Sequence, residues 1–213
     1  MYCRLAISAI MLLLSLNTSA DALAVKGGIS SWWPGAEGPR NSGDSEQVFS
    51  AFAALEHPVP FVPNARLRVW DYSGEREGGI DLTTVDAILY YEIFDNDAID
   101  LDLGVAATHF RNGRIGFDDT FSGWLPQAYG TLRMPVTGSG TGFGLYAEGT
   151  GTHWEGSRTL DIEGGVDFKI DAPLLDVLFR AGYRHVTNDL DDFDRVDGKL
   201  EFSGFAIGVI VDL

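Results

Sequence analysis

From residue 22 onward the chain alternates between apolar and polar positions. In residues 98–110, Ile99, Leu101, Leu103, Val105 and Ala107 take one set of alternate positions; Asp100, Asp102, Gly104, Ala106 and Thr108 take the other. A helix would scatter these carboxylates around its axis, whereas a strand sorts them onto one face. In residues 158–170, Leu160, Ile162, Val166 and Phe168 oppose Asp161, Glu163, Asp167 and Lys169. Val177, Phe179, Ala181 and Tyr183 alternate with Arg180, Gly182 and Arg184, and Leu67 and Val69 with Arg66, Arg68 and Trp70. Ten segments carry this period: 22–33, 46–57, 64–73, 79–93, 97–110, 121–134, 141–154, 158–170, 175–187 and 199–213. Each is long enough to cross a bilayer as a tilted strand, which takes about 9–11 residues. Pro126 makes 121–134 the weakest of them.

The connectors alternate as well. With the N-terminus on the periplasmic side, the links after even strands are short at 95–97, 135–140 and 171–174, and longer at 57–63. The links after odd strands are longer and polar at 34–45, 73–78, 111–120 and 188–198; 155–157 is the tight exception. Outer-membrane barrels show this asymmetry, and a soluble sandwich has no reason to. The last strand alternates through Phe205, Ile207, Val209, Val211 and Leu213, as a strand closing a barrel against the first one would. Trp32-Trp33, Trp70, Tyr72, Tyr90-Tyr91, Phe94, Phe121, Trp124 and Trp154 fall near strand ends, where interfacial girdles are expected. The expected fold is all-β: an up-and-down antiparallel transmembrane β-barrel of about ten strands, with eight as the alternative.

Residues 1–20 read as a secretory signal. Arg4 supplies the positive charge, 5–16 are apolar, and Thr18-Ser19-Ala20 offers small residues for cleavage before Asp21. The apolar run is too short to span a bilayer as a helix, which takes about 20 residues, and no later run reaches that length. The expected division is a signal peptide at 1–20 and an outer-membrane barrel domain at 21–213.

Residues 81–105 (DLTTVDAILYYEIFDNDAIDLDLGV) and 181–192 (AGYRHVTNDLDD), with a short Gly- and Trp-containing first strand at 25–33, resemble a family of small bacterial outer-membrane β-barrel proteins of unknown specific function. The resemblance implies fold and cell outer membrane location, and no activity.

The formal net charge of −16 argues against nucleic acid, because binding phosphates needs concentrated Lys and Arg. The expected partners are outer-membrane lipid and lipopolysaccharide, and barrel-assembly machinery during biogenesis. Catalytic motifs are absent: no G-x-S-x-G elbow, H-E-x-x-H or Walker loop. Gly142-Phe143-Gly144 and Gly149-Thr150-Gly151 lie in a period-two segment and read as packing glycines. His109, His153 and His185 fall near outer strand ends without ligand spacing, and the acidic stretch 188–197 lacks the Gly and terminal Glu of a calcium loop. No catalytic residue, cofactor or metal site is expected.

The candidate site is a ladder of charges on the inward faces: Arg66, Arg68, Asp86, Asp100, Asp102, Glu148, Asp161, Glu163, Asp167, Arg180 and Arg184. Such residues must pair or be hydrated in a narrow lumen. Asp167 or Glu163 is expected within reach of Arg180 or Arg184 across the turn near 171–174. The expected role is structural or surface-interacting rather than enzymatic. The alternatives are a narrow channel for small solutes, an outer-membrane enzyme with a rim active site, and a soluble periplasmic ligand-binding barrel. The sole cysteine, Cys3, lies inside the leader. The mature protein is therefore expected to begin at Asp21 with no thiol, which intact mass and thiol titration of the exported protein check.

Overall fold

The computed structural model describes residues 23–36, 47–59, 61–72, 82–115, 119–138, 140–194 and 196–213. The leader, the expected link at 73–78 and residues 37–45 of the expected link at 34–45 lie outside them; residues 34–36 of that link belong to the first strand. The described residues form ten strands and no helix: β1 (Ala24–Ala36), β2 (Val48–Glu56), β3 (Asn64–Asp71), β4 (Thr83–Asp95), β5 (Asp100–Ile115), β6 (Asp119–Pro135), β7 (Gly142–Trp154), β8 (Ser157–Ala172), β9 (Leu175–Phe193) and β10 (Val196–Asp212). Each strand pairs antiparallel with its chain neighbours, and β1 closes the barrel against β10. The closing register runs from Lys26↔Asp212 to Ala36↔Phe202. Val25 and Leu213 then exchange two backbone hydrogen bonds at 3.3 and 3.0 Å. The strand number is ten, so the eight-strand alternative is set aside.

Two expected outer loops are largely strand. β5 continues to Ile115 and β6 starts at Asp119, while β9 runs to Phe193 and β10 starts at Val196. In the acidic stretch, Asn188 and Leu190 keep the inward phase and are buried, whereas Asp189 and Asp191 are exposed. The acidity there reflects the solvated face of a hairpin. The tight link Glu155-Gly156 has positive φ at both residues, 49° and 89°. A two-residue type I′ turn requires this, and it suits the twist of the flanking strands.

Alternation sends adjacent aromatics in opposite directions. Trp33, Tyr91, Phe94, Trp124 and Trp154 are exposed, as an interfacial girdle would be. Trp32, Trp70, Tyr90 and Phe121 are buried instead, and Tyr72 packs on the same interior. The outer surface carries Ile29, Leu67, Leu103, Val105, Phe205 and Ile207, all exposed.

The wall has one interruption among the described residues. The β6–β7 ladder runs only from Pro135↔Gly144 to Ala128↔Gly151. Beyond Ala128, β6 keeps β5 on one side, through Ala107↔Pro126 and Ala106↔Gln127, but has no β7 partner on the other. Proline has no N–H to donate, so Pro126 fits a strand edge and not a doubly paired position. The closing register has a direct check. Ser31 and Ile207 are Cα partners. In a chain lacking Cys3, the pair Ser31→Cys with Ile207→Cys should oxidise to a disulfide that shifts mobility on a non-reducing gel. Ser31→Cys with Phe205→Cys, two residues out of register, should form it far less.

Candidate functional site: the lumen

Inward residues stack in three layers, starting from the end of the barrel where β1 begins and β10 finishes. The first layer is an open polar vestibule. Lys26 on β1 reaches Glu56 on β2 at 2.7 Å and Asp212 on β10 at 3.5 Å. The Tyr90 hydroxyl donates to the other Glu56 oxygen at 2.7 Å. Lys169 pairs with Asp176 at 2.5 Å, and Asp100 and Asp102 complete the lining. The vestibule encloses a cavity of about 150 Å³.

The middle layer is a charge network built across the lumen. Glu148 on β7 receives Arg68 at 2.9 Å, Arg66 at 3.1 Å and Arg180 at 3.4 Å. Two of these arginines stand on β3, on the far side of the barrel. Arg68 also donates to Asp86 at 2.7 Å, whose second oxygen accepts from the Thr108 hydroxyl at 2.7 Å. The Arg66 guanidinium lies 3.7 Å from the centre of the Phe52 ring. Arg184 forms a two-pronged pair with Asp161 at 2.6 and 2.7 Å and sits 3.2 Å from the Trp70 ring centre and 4.7 Å from that of Trp32. A planar fork that both binds carboxylate and stacks on aromatics is arginine chemistry that lysine does not reproduce.

The third layer, at the end opposite the vestibule, is apolar. Trp32, fully buried, packs edge-on against Trp70, Tyr72 and Phe202, with Val48, Val186 and Ala206 beside it. A second cluster of Leu82, Phe110, Phe121, Leu125 and Leu190 adjoins through Tyr72, with Phe193 against it. The β9–β10 tip holds this end down: the Ser122 N–H donates to the Asp194 carboxylate at 2.9 Å. Edge-on and tilted rings therefore fill the lumen at the end opposite the vestibule.

The proposed ladder residues all occupy inward register positions, but their partners differ from those expected. Glu163↔Arg184 and Asp167↔Arg180 are indeed Cα partners on β8 and β9. Arg184 nevertheless takes Asp161, Arg180 takes Glu148, and Glu163 accepts the Tyr146 hydroxyl at 2.7 Å. Asp167 is claimed by Arg133 from β6, through contacts of 2.7, 3.0 and 3.1 Å. The reason is reach: arginine spans past its nearest cross-strand neighbour, and glycines leave it room. A Cβ on Gly144 would lie 2.8 Å from an Asp167 oxygen and 3.1 Å from an Arg133 nitrogen, obstructing that pair. Arg133, Lys26 and Glu56 were missed. Arg133 had a signal, since Tyr129, Thr131 and Arg133 alternate, but it lay in the Pro126 segment. Lys26 and Glu56 stand at strand ends, where alternation is too short to read.

The rim histidines are not brought together. His109, His153 and His185 stand on β5, β7 and β9, all on the outward phase. His109 stacks on Trp124 at 4.4 Å, and His185 hydrogen-bonds Ser203 at 2.9 Å and Thr187 at 3.0 Å.

No family model matches the chain, and no curated protein sequence matches it. Among solved structures it is similar to the crystal structure of Neisserial surface protein A (NspA), at 14% identity and a TM-score of 0.37, covering 91% of this chain and 99% of that one. That likeness carries no argument about role, and the resemblance seen in residues 81–105 and 181–192 stands on the sequence alone.

Removing Glu148 leaves three guanidinium groups without their shared anion. Glu148→Gln should lower stability by about 3–5 kcal/mol, the scale for a broken buried pair. Arg180→Met should couple more strongly to Glu148→Gln than to Glu163→Gln, which it reaches only through the Tyr146 ring, in double-mutant cycles read by urea midpoints. The reverse pattern would overturn these pairings.

Proposed function

We propose that this chain is an outer-membrane β-barrel with a structural or surface-interaction role, and that it works neither as a pore nor as an enzyme. The observation that carries the reading is the sealed lumen: the charge network, then two aromatic clusters, occupy the barrel from its middle to its external end. The outward belt of exposed Ile, Leu, Val and Phe supports a bilayer as the surrounding medium. A water-soluble barrel would bear that apolar area at an aggregation cost. Rim histidines that stack or bond to structural neighbours give no support to a rim active site. The partners in this reading are outer-membrane lipid and lipopolysaccharide, and the barrel-assembly machinery during biogenesis.

Reconstituted in planar bilayers, the protein should show no stepwise conductance. Steps from the unaltered protein would overturn the sealed-lumen reading. Val105→Arg places a charge on the outward belt and should weaken folding into liposomes by about 2–4 kcal/mol. Asp102→Asn on the lumen side should cost much less. Equal losses for both would refute the outward face as the lipid face.

A further inference from the structure

The vestibule joins two surfaces with opposite unmet demands. On its β4–β5 wall, carboxylates face carboxylates: Glu92 and Asp102 are Cα partners, and so are Asp95 and Asp100. Like charges directly opposite on neighbouring strands are destabilising. The cations of this layer are already engaged. Lys26 holds Glu56 and Asp212, and Arg133 holds Asp167 at 2.7 Å while standing 3.7 Å from Asp100. Asp102 lines the cavity and makes no hydrogen bond or ion pair among the described residues.

The floor, where the vestibule meets the charge network, lacks acceptors instead. Tyr129 lines it and is 4% exposed. Its hydroxyl accepts from Arg66 at 2.9 Å, and its own hydrogen has no acceptor among the described residues. Arg180 lines the same cavity and gives Glu148 a single N–H at 3.4 Å. Neither its Nε nor its Nη2 has a hydrogen-bond partner among those residues. A buried donor without an acceptor is unfavourable.

The spacing and the volume limit what can meet both demands. Asp102 lies two positions nearer the start of β5 than Gly104, the Cα partner of Tyr129. At the rise of a strand that is about 7 Å. The cavity of about 150 Å³ has room for roughly ten water-sized groups at about 15 Å³ each. A diamine would leave the floor donors unmet, and a dicarboxylate would face the carboxylates of β4 and β5. A molecule with one cationic and one anionic end satisfies both surfaces. A dipeptide has that form and about that length, since its Cα atoms are about 3.8 Å apart and each terminus extends beyond them.

We propose that the vestibule binds a short zwitterionic peptide of dipeptide size, its carboxylate at Tyr129 and Arg180 and its ammonium at Asp102 and Glu92. The peptide enters carboxylate first, because Asp102 stands nearer the mouth. The site requires the closed barrel and does not depend on what surrounds its outer face.

The test is isothermal titration calorimetry on the protein folded in detergent, with folding scored separately by heat-modifiable gel mobility. Alanyl-alanine is expected to bind at one site per barrel. N-acetyl-alanyl-alanine lacks the ammonium and alanyl-alanine amide lacks the carboxylate; each is expected to bind roughly tenfold more weakly or worse. Asp102→Asn should weaken alanyl-alanine by a similar factor and leave the N-acetyl peptide unchanged. Tyr129→Phe, which removes one hydroxyl, should weaken alanyl-alanine and leave the amide unchanged. Four results would overturn the proposal: no binding to the folded protein, equal affinity for the three peptides, alanyl-alanine affinity unchanged in both folded variants, or tighter binding of 1,4-diaminobutane than of alanyl-alanine.

Discussion

The barrel depends on Glu148. A closed wall of ten strands turns every second residue into a confined interior, and this chain puts four arginines in the middle of it. Cations at that density repel one another and are costly to desolvate unless an anion is shared among them. Glu148 touches three of the four, two of them from across the lumen. The remaining one, Arg184, is held by Asp161 and by two tryptophan faces. The network therefore ties opposite walls together as struts would, and the cross-section of the barrel is set by arginine reach.

That strutwork also explains the asymmetry along the axis. Below it, Lys26, Lys169 and Arg133 meet a larger set of carboxylates in an open vestibule at the end where β1 begins, where water keeps charge inexpensive. Above it there is no room for hydrated charge, and Trp32, Trp70, Phe110 and Phe121 take over. Arg184 sits at the boundary and belongs to both layers, its fork on Asp161 and its plane against indole. In the proposed reading, the working surfaces of a barrel organised this way are its outside and its rim.

Among the described residues, the one departure from full backbone pairing lies at a proline, which has no N–H to donate. Pro126 lies just past the last β6–β7 pair, Ala128↔Gly151, where β7 is three residues from its end at Trp154 and the exposed Trp124 is two residues away along β6. The outer part of β6, released from β7, is held by β5 and by Asp194 from the β9–β10 tip.

The sequence by itself determined the fold class, the ten strands and the inward or outward sense of the charged residues. All of these follow from a period of two, which is local and needs no knowledge of which strand meets which. Alternation also contained the fate of paired aromatics such as Trp32 and Trp33, although clustering at strand ends pointed both toward a girdle. The tertiary structure alone decided the partners. Arg180 and Asp167 are neighbours in register, yet each pairs elsewhere, because a long side chain in a closed lumen chooses among strands several places away in the order. Arg133 was hidden by the proline seven positions before it, and the same proline, read locally as a weak strand, proved to be the break in the wall. Pairing across a barrel depends on closure, and closure is a property of all ten strands together that no single segment contains.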